Sequence, residues 1–175
     1  MKKIILWISL IIILAITVGI VNFAINFNAN NVNFNTNKKS DNNEQDYLTI
    51  NVYFSNSLKD PEAMDCSLVF PVERKIKKTE AVGRAALEEL LKGPTAEEKN
   101  EGYFSSINEG VKINSLVIEN GVAKVDFDEK LEYQVGGSCR VLAIASQIRQ
   151  TLKQFSSVNN VIISINGRTE DILQP

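Results

Sequence analysis

Histidine is absent from the 175-residue chain. That removes Ser-His-Asp and Cys-His arrangements, and every histidine-ligated metal site, together. Carboxylate-only catalysis and a Ser–Lys pair are the chemistries left open. Basic clusters are missing beyond the N-terminal segment, where residues 46–175 carry 15 basic against 19 acidic side chains. Without a phosphate-tracking surface, no nucleic-acid partner is expected. No EF-hand spacing occurs among the acids. No catalytic residue is assigned, and no cofactor or metal is expected. Cysteine is nearly absent too, with only Cys66 and Cys139.

What is present is unevenly spread. Lys2-Lys3 precede Ile4–Val21, IILWISLIIILAITVGIV, an apolar run that extends to Ile25 past Asn22. A spanning helix needs about 20 apolar residues. Residues 1–25 are therefore read as a signal anchor, with the flanking lysines holding the N-terminus in the cytoplasm and the rest outside. This makes the cytoplasmic membrane a partner through residues 4–25 and the protein a single-pass cell-membrane protein. The alternative is secretion after signal cleavage, although the run exceeds a usual signal core of about 7–15 residues. Residues 26–46 are asparagine-rich and too polar to offset ordering entropy, as expected of a disordered linker. Residues 47–175 form the folded domain.

Within it, Tyr47–Phe54 alternates, with Leu48, Ile50, Val52 and Phe54 on one face. Ser55–Asp65 reads as a polar loop. Cys66–Val72 reads as a second strand with Leu68, Phe70 and Val72 inward and Pro71 confining it to an edge. Glu73–Lys78 reads as a charged exit. Thr79–Lys92 is a helix with Val82, Ala85, Ala86, Leu90 and Leu91 on its apolar stripe and a charge ladder of Glu80, Arg84 and Glu88. Gly93-Pro94 stops it, and Thr95-Ala-Glu-Glu98 is a capping box for a short helix ending at Gly102. Val111–Glu119 and Val122–Phe127 flank Asn120-Gly121, a two-residue hairpin signal. That turn pairs Ile118 with Ala123, Leu116 with Val125 and Asn114 with Phe127. After a loop over 128–137, Ser138 caps a helix over Cys139–Phe155. Its stripe is Val141, Ile144, Ala145, Ile148, Leu152 and Phe155, with Arg140, Gln147, Gln150 and Gln154 facing out. Val158–Ile165 is the last strand. The order ββα(α)ββαβ predicts an α+β two-layer sandwich, a mixed sheet with helices on one face.

Four constellations could carry chemistry. Cys66 and Cys139, even in number and outside the cytoplasm, predict a disulfide worth about 4 kcal/mol by loop closure. The other readings are two buried thiols, or a reactive Cys139 acidified at a helix N-terminus. Gly136-Gly137-Ser138 before a helix could cradle an anion or line a ligand pocket, although flexibility plus a cap explains it equally simply. Asp126, Asp128, Glu129 and Glu132 could build a glycosidase pair or a Ca²⁺ site, and a solvated face accounts for them as well. Ser105 and Ser106 lie near Lys112 but lack an S-x-x-K motif.

The segments NVYF, ALEELLKGPTAEEKNEG, SSI, GVAKVDFDEKL, GGSCRVLAIASQIRQTLKQF and VNNVIISING resemble a GerMN domain, the module of GerM-like spore-germination and sporulation proteins. The resemblance spans most of residues 47–167 and is carried by the combination of motifs. It implies an extracytoplasmic, anchored, non-enzymatic module of envelope assembly, with a fold resembling ring-building motifs of sporulation and secretion channels. Binding or scaffolding, through an envelope protein or self-association, is the expected role. The rival expectation is a wall-processing hydrolase or glycan-binding module using the acidic loop 126–132.

Overall fold

The computed structural model of the protein describes residues 46–174. The predicted anchor over 4–25 and nearly all of the predicted linker lie outside them. Among the described residues, no helix is long and apolar enough to cross a membrane.

The chain runs β1 (Tyr47–Asn56), β2 (Phe70–Lys77), α1 (Val82–Leu91), α2 (Ala96–Asn100), β3 (Tyr103–Phe104), β4 (Ile113–Glu119), β5 (Val122–Phe127), a 3₁₀ turn (Glu129–Leu131), α3 (Ser138–Lys153) and β6 (Asn160–Ile165). The element order follows the sequence pattern, with β3 and the 3₁₀ turn added. The expected single mixed sheet is instead two three-stranded sheets, β2-β1-β3 and β4-β5-β6. The first is antiparallel, whereas the second joins an antiparallel hairpin to a parallel β5–β6 pair.

The reason for the division lies on β1. One edge pairs with β2 along Tyr47–Phe54. The other pairs with β3 only at Ser55 and Asn56, so Asn51 and Tyr53 have no strand partner on that side. Side chains of α3 take the place of one. Asn51 N–H donates to Gln154 Oε1 at 2.8 Å, and Gln154 Nε2 donates back to the Asn51 carbonyl at 2.6 Å. Tyr53 N–H donates to Thr151 Oγ1 at 3.2 Å. Gln147, fully buried, donates to Ser55 Oγ at 3.3 Å and accepts from Ser105 Oγ at 3.1 Å. Residues 147, 151 and 154 share one helical face; Thr151 and Gln154 satisfy backbone groups of an edge that would otherwise carry orphan amides, and Gln147 pairs the Ser55 and Ser105 hydroxyls beside them. Gln147 and Gln154, expected to face out, thus face in. Arg140 also turns inward, donating to the Ser106 and Gln134 carbonyls and to Asn108 Oδ1. Gln150 alone of that set is exposed.

The neighbouring apolar side of α3 buries Ile144, Ile148 and Leu152 against Val52 and Phe54 of β1, Leu87 and Leu90 of α1, and Val125, Phe127 and Ile165 of the second sheet, all within one core cluster. Leu87, absent from the expected stripe of α1, is fully buried, while Val82, Ala85 and Leu91 are only partly covered. Among the described residues, no buried side-chain polar atom lacks a hydrogen-bond partner.

The second strand differs most from expectation. It begins at Phe70 and continues through the charged run to Lys77, because β1 templates it along its length. Phe70, Val72, Arg74 and Ile76 point inward, and Leu68 is left exposed in the preceding loop. Pro71 is tolerated because β2 is an edge strand. Arg74 occupies an inward position by forking onto Glu98, with Nη1–Oε1 at 2.5 Å and Nη2–Oε2 at 2.7 Å, its guanidinium 6.0 Å from the Phe54 ring. Glu98 is the same residue that completes the capping box with Thr95.

The hairpin turns on Asn120 (φ +51°) and Gly121 (φ +79°), the left-handed pair that a type I′ turn requires. Ile118–Ala123 and Leu116–Val125 pair as expected. Phe127 pairs with Ile113, however, because the register shifts between Ile113 and Ser115. The shift puts the apolar Ile113 inside and leaves Asn114 outside.

Gln154→Ala should strand the Asn51 amide and carbonyl and cost about 1–3 kcal/mol in urea unfolding. Gln150→Ala, one turn away on the exposed face, should stay within about 0.5 kcal/mol of the parent.

Candidate functional site

The acids of the 126–132 loop are held by donors from elsewhere in the fold. Asp126 sits on β5, where Asp126 Oδ1 accepts from Ser164 Oγ at 2.6 Å and from Gly167 N–H at 2.7 Å, and Oδ2 from Asn114 Nδ2 at 2.9 Å. Desolvation pushes its carboxyl upward, but these hydrogen bonds outweigh it and hold the group below its ordinary value. Asp128 Oδ1 accepts from Lys112 N–H at 3.1 Å. Glu129 accepts from Asn166 Nδ2 at 3.1 Å, which lowers its carboxyl. Glu132 pairs with Arg168. The four acids therefore pin the start of β4 and the turn after β6 onto β5. A general acid needs a raised pKa, and the resolved shifts here run the other way. Among the described residues, no group of three metal-ligating acidic or cysteine side chains converges.

Ser105 is likewise committed, its hydroxyl donating to Gln147 and accepting from Ile107 N–H at 3.2 Å. This oxygen is not held against Lys112, whose backbone N–H meets Asp128. Asn108, which the sequence reading passed over, donates from Nδ2 to the Lys130 and Tyr133 carbonyls at 2.7 and 2.8 Å. With Arg140 on its Oδ1, it ties the segment before β4 to the loop before α3. Its only sequence signal is its place between Ser105-Ser106-Ile107 and Gly110.

Gly136, Gly137 and Ser138 stand exposed at the start of α3. The helix is entered through Gly137 (φ +85°), which takes the N-cap position without any side-chain cap. Ser138, expected as the cap, is instead the first helical residue. The left-handed turn at 137 accounts for glycine there.

Cys66 Sγ and Cys139 Sγ are bonded at 1.95 Å, with Cα atoms 5.0 Å apart. Because β2 starts only at Phe70, the bond ties the loop before that strand, rather than the strand itself, to the first turn of α3.

Two recesses share Phe104 in their walls. One of about 440 Å³ lies beside Gly93-Pro94, with Lys92, Lys99 and Tyr103 in its wall. Lys92 there is paired with Glu89 at 2.6 Å. The other, about 290 Å³, is lined by the disulfide together with Leu68, Phe104 and Ala143.

Two measurements follow from this geometry. A carboxyl held below its unfolded value of about 3.9 stabilises the fold fully above that pH and loses the contribution as pH falls through the folded value. The gap in urea midpoint between the parent and Asp126→Asn should therefore be constant from pH 5 to 7 and narrow below about pH 4. Replacing both cysteines by serine should lower unfolding free energy by less than the roughly 4 kcal/mol of the chain-entropy figure. The loop it ties gains freedom in the folded state as well as in the unfolded one, and guanidinium unfolding measures the difference.

Comparison with known proteins places this geometry. A model of the Germane family, described as sporulation and spore germination, matches residues 51–171. Among solved structures, the first GerMN domain of the sporulation protein GerM from Bacillus subtilis is similar at 23% identity and a TM-score of 0.51, covering 70% of this chain and 85% of that one. The tandem GerMN domains of the same protein match at 18% identity and a TM-score of 0.51, over 70% of this chain and 40% of theirs. This chain thus spans less than half of the tandem pair. At these identities the likeness is one of fold. No curated protein matches the chain. The family match runs from within β1 to the turns beyond β6, and the chain belongs to the Germane family of sporulation and spore germination domains.

Proposed function

We propose that the protein is a membrane-tethered, extracytoplasmic module that binds or scaffolds other components of the bacterial cell envelope in a sporulation-type assembly, without catalysing a reaction. The observation that carries this reading is the family match across residues 51–171. The geometry supports it, because the acids of the 126–132 loop and the Ser105 hydroxyl are engaged as structural acceptors and donors. What the domain offers is surface. On the second sheet, Val117, Lys124 and Ile162 form one cross-strand row, with Val117 and Ile162 exposed. The groove beside Gly93-Pro94 is a second such surface. In this reading, residues 4–25 hold the protein in the cytoplasmic membrane, and an envelope protein or further copies of the chain dock on the domain.

The full chain, expressed in a spore-forming host and fractionated, should stay with membranes after carbonate washing. Its domain should be digested by protease added outside protoplasts. A photo-crosslinker at Val117 or Ile162 should yield discrete adducts, and charged replacements there should abolish them. Domain recovered in the medium would favour signal cleavage. A wall-degrading activity lost in Asp126→Ala with the fold intact would overturn the non-catalytic reading.

A further inference from the structure

We infer that the Cys66–Cys139 bond is a thiol–disulfide exchange site for a dithiol reductant, and that its opening releases the segment 60–69 from α3. The inference stands apart from the membrane reading and needs only that the folded protein meets such a dithiol.

Access comes first. Cys139 is exposed and Cys66 half-buried, so a thiolate can reach the bond without unfolding the domain. The second observation is how the loop is held. At its ends it is well anchored. Asn56, buried, donates to the Glu101 carbonyl at 2.9 Å and accepts from the Leu58 and Lys59 amides. Lys59 Nζ reaches Tyr103 Oη at 2.7 Å and lies 5.1 Å from the Phe70 ring. Between Pro61 and Val69, the hydrogen bonds among the described residues close within the loop. Ala63 and Met64 N–H donate to Asp60, Ser67 donates from both N–H and Oγ to Asp65 Oδ1, and Leu68 N–H donates to the Asp65 carbonyl. The disulfide is thus the bond that ties the middle of the loop to the rest of the fold. Third, Cys66 and Cys139 line the 290 Å³ recess that Leu68 shares with Phe104 and Ala143. Opening the bond frees Leu68, already half-exposed, to move off Phe104 and Ala143 and changes the apolar surface the domain presents.

The chemistry has a direction. Cys139 lies in the first turn of the 16-residue helix α3, whose unbonded N–H groups favour a thiolate. It is the better leaving group. The incoming thiolate attacks Cys66 Sγ. The S–S bond breaks, and its electron pair leaves on Cys139 Sγ. The second thiol of the reductant, deprotonated, then attacks the mixed disulfide and expels Cys66 as a thiolate. Both cysteines take up protons according to their pKa values. The reductant departs as its own disulfide, two electrons poorer.

The test uses the full chain in detergent, under native conditions. A brief reaction with glutathione, acid quench, alkylation and peptide mapping should place glutathione on Cys66 and the alkyl group on Cys139, favouring that order about tenfold. Dithiothreitol should then complete reduction with circular dichroism unchanged and with faster cleavage at Glu62 by a glutamyl protease. The Cys66→Ser, Cys139→Ser double variant should show the same cleavage while folded. Glutathione found mainly on Cys139 would overturn the proposal. So would a bond that resists reduction until denaturant is added, or a global loss of structure on reduction or in the double variant.

Discussion

The constraint on which the rest of the structure depends is the open edge of β1. Backbone amides in a folded interior must be paired, and β3 is too short to pair more than the last two residues of the strand. Thr151 and Gln154 complete the edge from the side of α3, and Gln147 beside them holds the Ser55 side chain. A helix that bonds to the sheet edge with one face and packs Ile144, Ile148 and Leu152 into the core with the next is fixed in both rotation and register. It holds β1, α1 and β6 around itself. The same arrangement ends the first sheet where another strand would add, which is why the second sheet forms separately around β5.

Polar side chains do comparable work at the corners. Arg74, on an inward position of β2, is neutralised by Glu98 at the first turn of α2, so one carboxylate both caps a helix and compensates a half-buried charge. Burial raises Glu98, and the bonds from Arg74 and the Thr95 amide bring it below its ordinary value. Asp126 serves the turn after β6 in the same way. Asn56 and Asn108 each bridge segments far apart in the chain through backbone carbonyls. Groups that a sequence reading takes for reactive are in this fold the fasteners of its loops.

That use of polar groups bears on function. The acids of 126–132 and the Ser105 hydroxyl are engaged within the domain, and the chain belongs to a family of sporulation and spore germination domains. The disulfide is the exception, a covalent bond left within reach of solvent, holding a loop that little else holds.

Most of the element order was legible in the sequence, because local physics decides it. Alternation marked β1, Asn120-Gly121 marked the hairpin, and Gly93-Pro94 with Thr95 and Glu98 marked the corner between α1 and α2. The cysteine pair was legible from its even number. The rest was decided by tertiary partners. Helical periodicity cannot separate an exposed glutamine from a buried, hydrogen-bonded one, so Gln147 and Gln154 read as solvent-facing although they face in. A charged run reads as loop until a neighbouring strand templates it, as β1 does for Glu73–Lys77. The shift at Asn114 follows from burying Ile113 against Phe127, a contact between strands. The acids of 126–132 carried the right residue types for chemistry, and only their donors, brought in from residues 112, 114 and 164–168, showed that they are structural. Sequence determined which elements form and where they turn, because those choices are made within a few residues. Tertiary structure decided which polar groups are buried and what they bond, because their partners lie far along the chain.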